Sequence, residues 1–549
     1  MKLASKKIAL VLAIGFFVNL LFAQSTGDQG QTWFVYLLLA IAVLLFFVIV
    51  IQVSDNMLAI EAKRSGTSQD GSAFSIFPST KELVPRQKPD YAMDERVIKS
   101  SRGHDILLEG EAEKRVEDGT NVTTYAILPP NFIGISPIPK VVVEVGQAVK
   151  AGDVLFFDKK RPEIKYASPV SGEVIEVNRG AKRSIAEVVI LADKDMQYRS
   201  YPDLDPESAS RDQLIAFLLE SGFWPMLRQR PFNIVPDPAV TPRDIFITTF
   251  DSAPLAPDLN LVVAGREEAF QRGLDILGKL TDGRVYLGLD ARHKEEAPAQ
   301  IFREAKGVEK FYFSGKHPIG NVGVQIHNTR PLTPNDVIWT PDVQAVITLG
   351  ALFTEKRFNA ERVVALTGAE LKDPHYVRTY QGARIQELVR DQLSNSPEKL
   401  RFISGDVLSG QKVNYESFLN FYDDQITVVE EGDYYELFGW LVPIAPRPSI
   451  SGTFPNFLFP GLRFKADTNT HGERRAFVKT GDYERVLPMD VYPQQLMKSI
   501  LVSDIERMEG LGIKELVEED IALCEFVCVS KQPLQDILRQ GLDKIREEG

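Results

Sequence analysis

The chain has 549 residues, of which 44% are hydrophobic and 25% are charged. This ordinary globular composition excludes wholesale disorder and a collagen-like fibre, and at roughly 150 residues per domain the length favours three or four domains. Acidic residues outnumber basic ones by 75 to 63, and the net charge of −12 argues against a general nucleic-acid binder. The two cysteines exclude a disulfide scaffold and a four-thiolate iron–sulfur cluster built from this chain alone.

Two apolar stretches stand at the N-terminus. Residues 1–23 have the basic start, apolar middle and small-residue end of a signal-like segment. Residues 33–53 are almost wholly apolar, and about 20 apolar residues suffice for a transmembrane helix. Because basic residues flank the pair on its outer sides, we predict a single-pass protein of the bacterial inner (plasma) membrane with its soluble body on the cytoplasmic side. Cleavage of residues 1–23 stays open, and residues 54–95 are interpreted as a polar linker.

Residues 96–205 are predicted to form a small β-domain. Lys140–Phe156 and Tyr166–Gly180 each have the pattern of strand, turn, strand, and they resemble the barrel-sandwich hybrid fold of biotinyl and lipoyl carrier domains. Lys159 and Lys160 fall near the place of a carrier's modified lysine, but the methionines that flank a biotinyl lysine are absent. A carrier and a docking module with the same hairpin geometry are both open.

Residues 206–355 alternate between helix-like and strand-like segments. A helix is expected within 211–230 and another over Glu267–Leu280, with strands at Ile245–Phe250, Val285–Leu289 and Lys310–Phe313. This alternation predicts a parallel, doubly wound sheet, whose ligand would sit beyond the carboxyl ends of its strands.

The remainder divides into a strand-rich region, 356–485, and a helical C-terminal domain, 486–549. Strands are expected from Arg362, from Ile403 and over Gln425–Val429, and the tail 532–548 has the pattern of a charged amphipathic helix.

A series of phrases then identifies a family. In chain order the main ones are Gly103–Gly110, Val143–Gly146, Phe157–Lys160, Ala167–Gly172, Asn178–Gly180, Leu219–Gly222, Arg228–Phe232, Gly315–Gly323, Val363–Gly368, Gly481–Val486 and Cys524–Cys528. Together they resemble the NqrA family, which supplies one subunit of sodium-translocating NADH:quinone oxidoreductases, over more than four fifths of the chain. Typical members begin near this chain's Val97, so the membrane-like front end departs from the family pattern.

The resemblance implies an accessory subunit of a six-subunit respiratory pump that passes electrons from NADH to ubiquinone or menaquinone and exports Na⁺. It implies an α+β multi-domain fold with a barrel-sandwich hybrid β-domain, a Rossmann-like α/β domain, a β-grasp (SLBB-like) region and a helical C-terminus. Subunits B to F are the implied partners. NADH, flavins, Fe–S and quinone would be used through those subunits, with no cofactor bound by this chain, and the implied role here is in quinone interaction or assembly.

Two motif tests agree with the absence of a cofactor. A dinucleotide fingerprint needs glycines after a strand, whereas the apolar run 261–264 is followed by Gly265-Arg-Glu-Glu268, whose carboxylates would repel a phosphate. Cys524 and Cys528 can share one helical face, but a cubane cluster takes four thiolates. They are interpreted as buried thiols, with half of a zinc site as the alternative. No catalytic residue and no metal ligand is assigned.

The strongest candidate for ligand contact is the loop Gly315–Gly323. Gly315, Gly320 and Gly323 permit close backbone approach after a strand, and the imidazoles of His317 and His327 can hydrogen-bond a quinone carbonyl. A structural turn with a satisfied histidine is the alternative. Phe132, Phe156 and Phe157 are further candidates for packing on a quinone, with core packing as their alternative.

Two other functions stay open at this point. An autonomous flavin-dependent NADH dehydrogenase would be yellow and would oxidise NADH without partners. A carrier subunit of a sodium-pumping decarboxylase would carry a mass increment on Lys159 or Lys160.

Overall fold

The computed structural model describes residues 39–43, 46, 50, 54, 57, 88–119, 121–436, 438, 447–450, 461–478 and 480–548. The chain divides into two units, residues 1–87 and residues 88–549. In the first unit the described residues are helical and mostly exposed. The predicted signal-like segment 1–23, most of 33–53 and the linker up to residue 87 (apart from 54 and 57) lie outside the described residues.

The prediction of a single-pass membrane protein is wrong on this structure. A spanning helix needs about 20 consecutive apolar residues to cross the hydrocarbon layer. Across the described ranges, no helix is both long enough and apolar enough to do so.

Two small sheets form the first part of the second unit. One is antiparallel and four-stranded, in the order Thr124–Ile127, Ile185–Ala192, Gly172–Arg179 and Ala148–Val149; the other has Lys140–Val141, Val154–Asp158 and Arg161–Ala167. Both predicted strand–turn–strand segments are present, because glycines at positive φ, Gly146 and Gly152 among them, make the turns. Lys159 and Lys160 lie at an exposed hairpin tip, as expected.

A six-stranded sheet lies at the centre of the α/β part. Its order is Val97–Lys99, Glu309–Ser314, Val285–Asp290, Asp244–Thr248, Ile338–Trp339 and Gln229–Arg230, with every pair parallel except the last. The helices of this part are Arg211–Glu220, Leu259–Val263, Glu267–Gly278, Gln300–Glu304, Val322–Thr329 and Val343–Glu355.

The strand residues of this sheet alternate between two cores. Ile245 and Leu287 lie in the largest core with helices 267–278 and 343–355, whereas Phe246 and Tyr286 pack with Ile326 of helix 322–329. Helices therefore cover both faces, as the doubly wound pattern predicts.

The apolar run 261–264, which we tested in the position before a fingerprint glycine, does not follow a strand. It lies in the helix Leu259–Val263 and its C-cap, and the Asp258 side chain caps the first turn. The relevant strand is Asp244–Thr248, and the loop after it, 249–258, contains no glycine.

A second six-stranded sheet and a group of helices complete the body. The mixed sheet has the order Gln411–Val413, Leu400–Ser404, Gln425–Glu430, Glu361–Thr367, His375–Tyr380 and Glu113–Asp118, and the helix Ile385–Val389 accompanies it. The C-terminal helices are Tyr483–Val486, Pro493–Leu501, Ile505–Gly510, Glu518–Phe526 and Leu534–Glu548, and they share a second core with residues of the α/β part such as Phe313 and Val324.

Candidate functional site

The loop Gly315–Gly323 lies at the carboxyl edge of the parallel sheet, between the strand Glu309–Ser314 and the helix Val322–Thr329. At its glycines, other loops of this chain approach the backbone closely. The Gly320 N–H donates to Ser252 Oγ at 2.8 Å, and a Cβ at Gly320 would lie 2.6 Å from the Ser252 nitrogen. A Cβ at Gly315 would lie 3.0 Å from the Ser100 carbonyl oxygen. The predicted close approach is therefore present, between loops of the protein itself.

His317 is buried beneath this loop, with 3% of its surface exposed. Its backbone N–H donates to Asp105 Oδ1 at 2.9 Å, and its Nδ1 lies 3.1 Å from Ser252 Oγ. Nε2 has no hydrogen-bond partner among the described atoms. Burial, which disfavours the charged imidazolium, lowers the pKa of His317 to about 4, so the ring is neutral at physiological pH.

A small polar cavity of about 40 Å³ adjoins His317. Its other lining residues are Asp251, Ala253, Asn321, Asp406, Leu408, Ser409, Glu519 and Ala522. Burial and the nearby Asp406 carboxylate raise the pKa of Asp251 to about 6. Three carboxylates thus surround the region beyond the strand Asp244–Thr248, where a doubly wound fold would receive a phosphate. An anion there would be repelled.

Gly323 and His327 lie away from the His317 cavity, where helix 322–329 contacts the C-terminal segments. A Cβ at Gly323 would lie 2.5 Å from Arg230 Nη1, which belongs to a buried ion pair with Asp520 at 2.8 Å. Gly323 is therefore a position where helix 322–329 meets the C-terminal helices. The structure does not bring it into the His317 cavity.

His327 joins two C-terminal segments to the same helix. Its Nε2 accepts the Asp490 N–H at 2.9 Å, which leaves the proton on Nδ1 to be donated to Glu515 Oε2 at 2.7 Å. Both ring nitrogens are therefore used within the protein.

The described residues also form an apolar groove that sequence reasoning missed. It has a volume of about 360 Å³ and lies between the β-domain loop 129–137 and the last helix, Leu534–Glu548. Its lining residues are Pro129, Pro130, Phe132, Ile133, Gly134, Ile135, Ser136, Pro137, Ser184, Ile185, Arg539, Asp543 and Arg546. This volume falls in the range of about 300–1,000 Å³ found for small-molecule sites.

The charged side chains of the groove come from the last helix. Arg539 forms an ion pair with Glu518 and donates to the Phe232 carbonyl oxygen. Arg546 forms an ion pair with Asp543 at 3.2 Å. Phe132 lies at the base, 2% exposed, with its ring 4.5 Å from that of Tyr166. Phe156 is fully buried and stacks on the same tyrosine, so core packing describes it.

The cysteine pair is buried among C-terminal side chains. Cys528 Sγ accepts the Tyr483 hydroxyl at 2.8 Å, and burial raises the pKa of the Cys524 thiol. In the ranges that the structure covers, no group of three His, Cys, Asp or Glu residues is placed to hold a metal ion.

Comparison with known proteins identifies three parts of the body. Family models described as the NqrA N-terminal barrel-sandwich hybrid domain, the NqrA second alpha/beta domain and the NQRA C-terminal domain match residues 98–193, 209–358 and 363–414. They confirm the predicted α+β, multi-domain class. A crystal structure of an NAD⁺-reducing [NiFe]-hydrogenase matches at 11% identity over 56% of this chain and 60% of that chain, with a TM-score of 0.29, which is too low to bear on function.

Curated relatives cover most of the chain. The NqrA subunit of the Na(+)-translocating NADH-quinone reductase of Alcanivorax borkumensis is 39% identical over 82% of this chain and 100% of its own length. Those of Saccharophagus degradans and Pseudomonas aeruginosa are also 39% identical, with the same coverage. The predicted resemblance is confirmed, and neither the dehydrogenase nor the carrier alternative is favoured. The chain belongs to the NqrA family of Na(+)-translocating NADH-quinone reductase subunits.

Proposed function

We propose that this chain works within a Na⁺-translocating NADH-quinone reductase, beside subunits B to F, as a subunit that carries no flavin, nucleotide or metal of its own. The observation that carries this proposal is the carboxyl edge of the parallel sheet. Asp251, Asp406 and Glu519 line one cavity there, and Glu519 belongs to the helix Glu518–Phe526.

A bound dinucleotide would need the opposite chemistry. Phosphates are held by backbone N–H groups in a glycine-rich turn and by the positive end of a helix. The loop 249–258 has no glycine, and its Asp251 faces the cavity. At a separation of about 4 Å, two like charges repel by about 4 kcal/mol near a protein surface, so each carboxylate opposes phosphate binding.

For the quinone we propose the apolar groove between loop 129–137 and helix Leu534–Glu548. Apolar and aromatic walls suit a ring and a prenyl tail, and the guanidinium of Arg546 can donate to a quinone carbonyl. The cavity at His317 has about one ninth of the groove's volume, about 40 against 360 Å³. Quinone contact at Gly315–Gly323 and His327 stays a prediction and would require that cavity to open.

The cofactor proposal is tested on the purified full chain. We expect no flavin absorbance, no stoichiometric iron or zinc, and no NADH oxidation without partners. A flavin bound in stoichiometric amount by this polypeptide alone would refute the proposal.

The quinone and partner proposals are tested on the assembled complex. Affinity capture of the full chain should recover polytopic flavoproteins, and a photoreactive quinone should label peptides from 129–137 or 534–548. Excess unlabelled quinone should abolish that labelling. Labelling confined to peptide 315–329 would transfer the site to the His317 loop, and capture without redox partners would contradict membership of the complex.

A further inference from the structure

The charged side chains that line the apolar groove stand in one row on the last helix. Arg539, Asp543 and Arg546 are spaced four and three residues apart, and side chains at this spacing lie on the same side of a helix. The opposite wall, loop 129–137, contributes no charged side chain. Charge-assisted recognition of a ligand in this groove therefore comes from this row.

Arg539 is already used by other parts of the chain. Its Nε and Nη2 donate to the two carboxylate oxygens of Glu518 at 2.5 and 2.7 Å, and its Nη1 donates to the Phe232 carbonyl oxygen at 3.0 Å. The same Nη1 lies 3.6 Å from Asp543 Oδ1, which is too far for a hydrogen bond. Arg539 therefore fixes the helix, and ligand contact is left to the other two members of the row.

Arg546 and Asp543 form an ion pair that stays open to the groove. Arg546 Nη2 lies 3.2 Å from Asp543 Oδ1, and within the described part of the chain this is the only polar contact of the guanidinium. The two side chains are 25% and 38% exposed. Because Asp543 Oδ1 is buried, the second oxygen, Oδ2, provides the carboxylate surface that a ligand can reach. A charged donor and a charged acceptor thus lie side by side in the groove wall.

This pair distinguishes the two redox states of a quinone. The carbonyl oxygens of a quinone only accept hydrogen bonds, so a quinone can use Arg546 but not Asp543. The quinol, which has gained two electrons and two protons, carries hydroxyl groups that both donate and accept. A quinol hydroxyl can therefore accept from Arg546 and donate to Asp543 Oδ2, and hydrogen bonds to an ionised acceptor are about twice as strong as neutral ones.

We infer that Asp543 is a specificity-determining residue, which makes the groove bind the quinol more tightly than the quinone. The inference rests on the proposed assignment of the groove to the quinone, and it adds the redox state that the groove prefers. One additional charge-assisted hydrogen bond should favour the quinol by about tenfold, equivalent to about 1.4 kcal/mol.

Equilibrium dialysis of the purified full chain under anaerobic conditions tests this preference. The probes are a benzoquinone with a single prenyl unit and the same compound reduced chemically to its quinol. For the wild-type chain, the Kd of the quinol should be about tenfold lower than that of the quinone. In Asp543→Asn the amide offers only a neutral acceptor, so the two Kd values should lie within about twofold of each other.

Two further variants separate specificity from stability. Asp536→Asn removes the same charge at an exposed position of the same helix that does not line the groove, and it should keep the wild-type ratio of Kd values. Arg546→Met removes the one charged donor that the quinone can use, so it should weaken quinone binding more than quinol binding and raise the preference. A merely structural role of Asp543 would weaken both forms equally and leave the ratio unchanged.

The outcomes also separate this inference from the proposed function. If the wild-type chain binds both forms equally, or if Asp543→Asn keeps the wild-type ratio, the role of Asp543 is overturned, while photolabelling of peptides 129–137 and 534–548 would still support the quinone site. If neither form binds and neither peptide is labelled, the proposed quinone site and this inference are overturned together.

Discussion

The apolar groove and the His317 cavity both lie against the C-terminal helices, yet they differ in nearly every physical property. The groove, about 360 Å³, has proline and isoleucine side chains in its walls, whereas the cavity, about 40 Å³, has three carboxylates and one imidazole among its nine lining residues. The groove has the size and polarity of a site for an organic ligand. The cavity is too small for such a ligand and is lined by carboxylates. The position that the fold offers to nucleotides is thus an internal contact, and the proposed quinone site lies elsewhere.

The largest expected effect comes from removing Arg230, which pairs with Glu519 beside the cavity and with Asp520. Arg230→Met leaves the fully buried Asp520 carboxylate and Glu519 without their cation. Removing one partner of a buried ion pair typically costs about 3–5 kcal/mol, which denaturant unfolding of the full chain would measure. Arg284→Met, which removes the exposed pair with Glu309, should cost at most about 1 kcal/mol. Equal effects of the two variants would contradict the structural role given to Arg230.

The next effect concerns how helix 322–329 holds the C-terminal segments. His327→Ala removes the hydrogen bonds to Asp490 and Glu515, and the expected loss in free energy of unfolding is about 2 kcal/mol. His293→Ala, at an exposed side chain, should stay within about 0.5 kcal/mol of wild type. If His327 is instead a quinone ligand, its replacement will reduce quinone labelling more than stability.

A charged substitution in the groove tests directly which of the two regions binds the quinone. Ile133→Asp places a carboxylate on an apolar wall, and we expect about a tenfold loss of quinone labelling, equivalent to about 1.4 kcal/mol. The control is Val145→Asp, because Val145 is 63% exposed on the same β-domain and does not line the groove. Unchanged labelling in Ile133→Asp would remove the groove as the quinone site.

The smallest effect concerns the shape of the groove. Gly134 has a φ of +84°, and a Cβ there would lie 2.3 Å from Arg546 Nη1. Gly134→Ala should cost about 1 kcal/mol through backbone strain and displace the arginine. Gly278→Ala, in a helix with open space around the glycine, should be neutral or stabilising by up to about 1 kcal/mol. A neutral Gly134→Ala would show that the loop adjusts freely.

Most strands of the central sheet were predictable because buried parallel strands appear in the sequence as short continuous apolar runs. Asp244–Thr248, Val285–Asp290 and Glu309–Ser314 all fall where such runs stand. The run 261–264, tested in the position before a fingerprint glycine, is helical, since a short apolar run does not distinguish a strand from a buried helix. Asp258, as its N-cap, was the signal that would have corrected it.

The candidate site was predictable only where it is local in sequence. Three glycines and a histidine within nine residues marked the loop Gly315–Gly323, and the structure places that loop at the carboxyl edge as expected. The groove could not be found in this way, because its walls come from the first domain and the last helix. Asp406 and Glu519 likewise reach the His317 cavity only through the packing of distant domains.

The Arg230 contact also constrains how the protein is made. Its partner Asp520 lies 290 residues further along the chain. At about 5–20 residues per second, a ribosome needs roughly 15–60 s to synthesise that interval. Throughout this time the Arg230 guanidinium lacks its Asp520 partner, because that residue has not been synthesised. The edge of the central sheet that Arg230 occupies therefore stays exposed in the nascent protein until the C-terminal helices emerge.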